Sequence, residues 1–163
     1  GRSLYGEVGQ SFDPARGREL LAQASYPDGV GFPQIRLLFL QSEMSSLLVN
    51  AVADMWRDNL NVDVELESSS WDTYQESVST GEADVFYAGW VSDYNDPDGF
   101  FTPLRLAGSS WANFESAEFS RLVDQAAAVT DDPAARQALY IEAERILCEQ
   151  EMIVIPILHH YTE

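Results

Sequence analysis

Three runs within residues 35–67 constrain the fold of this chain more than any other feature of it. IRLLFL, Ile35 to Leu40, is apolar and bounded by chain breakers, which reads as a buried strand. From Ser42 onward Met44, Leu47, Leu48, Ala51, Val52, Met55 and Trp56 recur at spacings of three and four, which predicts an amphipathic helix with these positions on its apolar face. Val62, Asp63, Val64, Glu65, Leu66 and Glu67 then alternate strictly, as a strand with one wet face does. Strand, helix and strand in about 33 residues are the ingredients of a parallel pair joined by a right-handed crossover.

The pattern continues. Asp13-Pro14 supplies a cap and a first-turn proline for a short helix carrying Leu20, Leu21 and Ala24. Ser69 or Ser70 can cap a helix with Trp71, Tyr74 and Val78 on it, stopped by Gly81, and Val85 to Trp90 reads as a third strand. Two consecutive helices are expected next. One starts at Ser116, with Phe119, Leu122, Val123, Ala126 and Ala127 on one face; the other starts at Asp132-Pro133 and carries Leu139, Ala143, Ile146 and Leu147. Met152 to Leu158 reads as a last strand, interrupted at Pro156. The expectation is a single α/β domain over residues 1–163, with an open, mostly parallel sheet and helices on its faces. Ligands of such sheets gather beyond the carboxyl ends of the strands.

Charge narrows the partners. Nine basic against 27 acidic residues give a net charge of −18, which repels phosphate backbones and anionic lipid surfaces, so nucleic acid is not an expected partner. Every basic residue is arginine, which excludes Schiff-base and P-loop lysine chemistry. Cys148 is the single cysteine, so neither an internal disulfide nor a cysteine metal cluster can form, and its place on the apolar side of a predicted helix suits a buried thiol. There is no apolar run of 18 residues. The end IPILHHYTE stops directly after a strand-like run, which leads us to expect a piece excised from a longer protein.

The stretch GWVSDYNDPDGFF, Gly89 to Phe101, opens where the third predicted strand ends. Its acids allow three chemistries. An EF-hand loop counted from Asp93 fails, because Pro97 and Asp98 fall at positions five and six and Leu104 at twelve, though a looser calcium site from Asp93, Asn95, Asp96 and Asp98 stays open. A carboxylate hydrolase needs two acids in unlike environments; Asp84, Asp93, Asp96 and Asp98 are candidates with no pair marked out. The third is a cradle for a cationic ligand. Trp71, Tyr74, Tyr87, Trp90, Tyr94, Phe100, Phe101 and Trp111 flank the strand end, and aromatic walls with a few polar groups suit a small-molecule or peptide pocket. Helical spacing assigns Trp71 and Tyr74 to the core, whereas Trp90 and Asp93 emerge into a turn from which a side chain can reach a cleft. His159 and His160 are adjacent on a strand, face opposite sides and read as ordinary strand residues. No nucleotide or hydrolase fingerprint is present, and no cofactor is expected.

MWRDNLNVDVEL (Met55 to Leu66), WDTYQESVSTGEADVFYAGW (Trp71 to Trp90), SDYNDPDGFF (Ser92 to Phe101), the helix pair from Ala117 to Leu147 and IVIPIL (Ile153 to Leu158) together resemble the second lobe of extracytoplasmic oligopeptide- and dipeptide-binding proteins, solute receptors of ABC importers. The resemblance implies one lobe of a two-lobed periplasmic-binding-protein-like fold that closes over its ligand, acts without catalysis and delivers its cargo to membrane permease subunits. It also implies a periplasmic or extracytoplasmic protein, held at the membrane or cell surface in its full-length form. Carried over residue by residue, Asp93 becomes the anchor of a peptide α-ammonium, Trp90 a pocket wall, and Gly89 and Val91 main-chain contacts, with Tyr87 and Tyr94 beside them. Some relatives have an arginine at the position of Tyr87, suited to a peptide carboxylate; this chain cannot make that contact, so the expected cargo is a short peptide or another amine-bearing solute. On this reading Asp93 projects from the end of the sheet into an open groove.

Overall fold

The apolar runs of the first half assemble as one sheet. The computed structural model describes residues 8–105 and 114–158 and places β1 (Ile35–Leu40) between β2 (Val64–Ser69) and β3 (Val85–Tyr87). Both pairings are parallel, Ile35 aligning with Val64 and Leu40 with Ser69 on one side, Leu37 with Val85 and Phe39 with Tyr87 on the other. Parallel neighbours need crossovers, supplied by α2 (Glu43–Leu60) and α3 (Trp71–Thr80). Because β2 and β3 flank β1 on opposite sides, the winding reverses between β1 and β3, and the carboxyl ends of those two strands mark the switch point.

The helices cover opposite faces of the sheet. Leu37, Phe39 and Val64 pack with Val49 and Ala53 of α2, while Leu38 packs with Tyr74 and Val78 of α3, so the alternating side chains of β1 fill two cores. α2 is capped by Ser42, whose Oγ accepts from Ser45 N–H at 3.0 Å, and closed by Asn61 in a left-handed conformation. Ahead of the sheet, α1 (Pro14–Gln23) is capped as expected by Asp13, whose Oδ1 accepts from Arg16 N–H at 2.9 Å, and buries none of its residues. These elements form one compact unit, residues 12–89.

The second unit comprises residues 8–11 and 90–158 of the described chain and is helical. α4 (Asp98–Arg105), α5 (Ala117–Ala128) and α6 (Pro133–Arg145), the last extended by a π-helical turn at Ile146–Gln150, enclose a core of Phe101, Phe119, Leu122, Val123, Ala126, Tyr140, Ala143, Ile146, Leu147 and Cys148. Ser116 and Asp132 cap α5 and α6 by accepting from Phe119 N–H at 3.2 Å and Ala135 N–H at 3.0 Å.

Four sequence expectations are corrected. The third strand ends at Tyr87, not Trp90: its partner β1 stops at Leu40, one residue beyond the last paired position, so the ladder has almost nothing left to bond. Residues 152–158 form no strand; Ile153 and Val154 N–H both donate to Leu147 O, and their side chains pack on the helical core instead of joining an edge. The apolar stripe of α2 is rotated from the one expected. A three-stranded sheet is met by the narrow row Val49, Ala53 and Trp56, leaving Met44, Leu47 and Met55 exposed. Trp71, at the first turn of α3, is 53% exposed although Tyr74, three residues on, is buried. Trp111, His159 and His160 lie outside the described residues.

Cys148 is buried, and burial together with Glu144 and Glu149 pushes its thiol up to about 12. Iodoacetamide at pH 8 is therefore expected to leave it unmodified in the folded protein and to alkylate it once urea unfolds the chain. Equal labelling rates with and without urea would contradict this burial.

Candidate functional site

The stretch that follows β3 is built as a braced loop. Trp90 opens the longer stretch of the second unit; its indole Nε1–H donates to Gly99 O at 2.8 Å, which ties the two ends of the segment 90–99 together. Inside that tie Ser92 Oγ donates to Tyr94 O at 2.6 Å, Asp96 N–H donates to Tyr94 O at 2.9 Å, and Gly99 N–H donates to Asp96 O at 3.2 Å. The chain therefore turns tightly and enters α4 at Asp98. That helix was missed from the sequence, because a glycine at its second position and Pro103 within it look like breakers. The signal that could have found it is acidic: Asp98 sits in its first turn, favourably placed against the helix dipole.

The acids of this loop divide sharply. Asp96 is gripped by Arg136 of α6: Nη1 to Oδ2 and Nη2 to Oδ1 are both 2.8 Å, a bidentate pair, and Asp98 N–H adds a third bond to Oδ1 at 2.8 Å. The Arg136 bonds hold the Asp96 carboxyl below the usual range, partly offset by burial, and Asp96 in turn raises the Arg136 guanidinium. Asp98 receives Tyr94 Oη–H at 3.0 Å, Thr102 Oγ1–H at 2.8 Å and Tyr140 Oη–H at 3.3 Å. The hydrogen bond to Asp98 is the main reason the Tyr94 phenol is raised; burial, more than the Asp98 charge, pushes Tyr140 to about 12. Asp93 is exposed and, among the described residues, has no hydrogen bond or ion pair within its unit.

The structure thus separates the predicted residues. Trp90, Val91, Asp93 and Tyr94 share one exposed loop; Trp90 is 47% and Val91 79% accessible. Tyr87 and Gly89 belong to the sheet unit. Tyr87 is half-buried beside the β1–α2 core, its carbonyl accepting from Tyr74 Oη–H at 3.2 Å, while Gly89 is exposed. Asp84, the fourth candidate acid, braces the sheet, its Oδ2 accepting from Arg36 N–H at 2.8 Å.

The arrangement bears on the rival chemistries. Among the described residues no three His, Cys, Asp or Glu side chains converge to hold a metal ion. The carboxylates of Asp96 and Asp98 are already engaged with donors of this chain, leaving Asp93 as the loop acid whose charge faces outward unmatched among the described residues. An open hollow of about 490 Å³ borders the clamp, lined by Pro97, Ala127, Thr130, Arg136, Gln137 and Tyr140 among others. Arg136, the cation in that lining, is committed to Asp96, so the hollow offers mostly apolar walls. Arg136 and Tyr140 were not singled out from the sequence. The cue was available in AARQALY, where the two lie four residues apart and so share a helix face.

Comparison with known proteins gives a consistent picture. The model of the bacterial extracellular solute-binding proteins, family 5 Middle, matches residues 3–112. The periplasmic murein peptide-binding protein MppA of Escherichia coli is 38% identical over 153 residues, 93% of this chain and 28% of the relative. The periplasmic oligopeptide-binding protein OppA of Salmonella typhimurium is 33% identical over 144 residues, 88% of this chain and 26% of the relative. Among solved structures, the periplasmic oligopeptide-binding protein OppAIV of Borrelia burgdorferi superposes with a TM-score of 0.80 at 28% identity, covering 93% of this chain and 30% of that one. The chain spans little more than a quarter of the curated relatives it matches.

Proposed function

Because this chain belongs to the bacterial extracellular solute-binding proteins of family 5, we propose that it is part of one lobe of a two-lobed receptor that captures short peptides or other amine-bearing solutes and hands them to the permease of an ABC importer. The receptor works outside the cytoplasm, in the periplasm or held at the cell surface, and it binds its cargo reversibly without catalysis. Relatives named for murein peptides and oligopeptides support the cargo class.

The observation that carries this reading is the isolation of Asp93. Among the described residues of its unit, this carboxylate has no partner while the other acids of its loop are satisfied internally, which leaves it open to a cation arriving from outside. An ammonium group meets that need through charge-assisted hydrogen bonds, which strengthen when closure of a second lobe excludes water. Trp90 and Tyr94 supply aromatic surface beside the acid, and the main chain at Val91 strand-like pairing that ignores side-chain identity.

The test is titration calorimetry on the full-length protein. Asp93→Ala is expected to weaken binding of trialanine with a free amine by about 1.5–3 kcal/mol, roughly 10- to 150-fold, and to leave N-acetylated trialanine little changed. Equal affinity for the free-amine peptide with and without the carboxylate would overturn the assignment.

A further inference from the structure

We propose that Arg136 is the positioning and selectivity residue of this site: by locking Asp96 it sets the conformation of the loop and leaves Asp93 as the carboxylate there that an incoming ammonium can claim. The inference rests on the ligand role of Asp93 given above, and concerns what keeps that role with one acid out of three.

Every nitrogen of the Arg136 guanidinium has a partner. Nη1 and Nη2 take the two oxygens of Asp96, Nε donates to Ala126 O at 3.1 Å, and Nη2 also donates to Tyr140 Oη at 3.1 Å. The guanidinium carbon lies 5.1 Å from the centre of the Tyr140 ring, which is itself 0% exposed. A cation tied through every one of its nitrogens is restrained in place, and its planar fork fixes the plane of the carboxylate it holds. Asp96 in turn is hydrogen-bonded through its backbone to Tyr94 and Gly99 and through Oδ1 to Asp98, so immobilising one side chain immobilises the turn that follows Asp93. Arg136 and Asp96 are 26% and 33% exposed, so water screens the attraction between them; the bidentate geometry matters more than the charge alone.

Charge provides the second half of the argument. Three carboxylates within six residues repel one another and would compete for a single ammonium. Arg136 neutralises Asp96, and the hydroxyls of Tyr94, Thr102 and Tyr140 occupy Asp98. Removing the guanidinium frees Asp96 to act as a decoy three residues from the anchor and releases the turn that presents Asp93.

The experiment compares trialanine with N-acetyl-trialanine on the full-length protein by calorimetry, for wild type, Arg136→Gln, Arg136→Lys, Asp96→Asn and Asp93→Ala. Wild type is expected to prefer the free amine. Arg136→Gln and Asp96→Asn are each expected to reduce that preference by about tenfold, and Arg136→Lys, which keeps the charge without the fork, to lie between. A purely structural arginine would lower the thermal midpoint and weaken both peptides alike; an unchanged preference in Arg136→Gln and Asp96→Asn therefore overturns the proposal. If Arg136→Gln does not fold, Asp96→Asn decides by the same criterion. Asp93→Ala separates the two levels. Loss of preference in Asp93→Ala, with no change in the clamp variants, sinks the positioning role alone; no preference in wild type, or full preference in Asp93→Ala, sinks the amine anchor and the positioning role with it.

Discussion

Tyr140→Ala is expected to loosen the helical unit by about 4 kcal/mol, while Tyr140→Phe costs only about 1. The ring is fully buried and stacks on Phe101 with 5.0 Å between centres, so truncation removes a large apolar side chain from the middle of the core and leaves a cavity that α5 and α6 can close only in part. The hydroxyl matters less. Without it Asp98 still accepts from Tyr94 and Thr102, and Arg136 still holds Asp96. Hydrogen exchange of the full-length protein measures both changes locally: amides in α5 and α6 should open about a thousandfold more readily in Tyr140→Ala and less than about tenfold in Tyr140→Phe. Similar protection in the two variants would mean that the ring is not the keystone of this core. Tyr140 also links stability to the site, since one side of it fills the core and its oxygen touches Arg136 and Asp98.

Gly29→Ala is expected to destabilise the sheet unit by about 3–5 kcal/mol, a large effect for one added methyl group. Two causes add. Gly29 has a φ of 73°, which costs an L-residue about 1–2 kcal/mol. The new Cβ would also stand 2.2 Å from Leu60 O and 2.7 Å from Asn61 O, which are backbone atoms at the end of α2 and cannot rotate away. The turn Pro27–Gly29 is pinned there, since Asn61 Nδ2–H donates to Asp28 O at 3.0 Å. Relief must come from moving the turn off the carboxyl end of α2, which would break that bond. Hydrogen exchange of α2 and β1 amides checks the expectation; unaltered protection there would show that the turn yields without cost.

Much of this architecture was legible one segment at a time. Asp13 caps the helix it was expected to cap, and helices begin after Ser42, Ser116 and Asp132 where their starts were read, because an N-terminus is set by a side chain and backbone N–H groups two or three residues away; Ser70 precedes α3 without a side-chain cap bond. The strand Ile35–Leu40 followed from its apolar run between breakers, a second strand from the alternation of Val62 to Glu67, which the structure places two residues later at Val64–Ser69, and the parallel pairing from the helix-length connection between them. The same local reasoning failed where a partner decides. It could not tell which stripe of α2 meets the sheet, nor that residues 152–158 form no strand while Ile153 and Val154 pack on the helical core, because neither outcome is encoded within the segment itself.

The site shows the same division. From sequence, GWVSDYNDPDGFF is an acid-rich loop at the end of a strand, and its residue types narrowed the chemistry to cations, metal ions or acid catalysis. Which acid is available was decided by Arg136 and Tyr140, 40 and more residues downstream, whose side chains reach Asp96 and Asp98 only once α6 has packed against α5. Composition and periodicity act through near neighbours, and so they determined most of the elements and narrowed the chemistry open to the loop. The pairing of charges depends on distances that exist only in the folded chain, and so only the tertiary structure could leave Asp93 without a partner among the described residues of its unit.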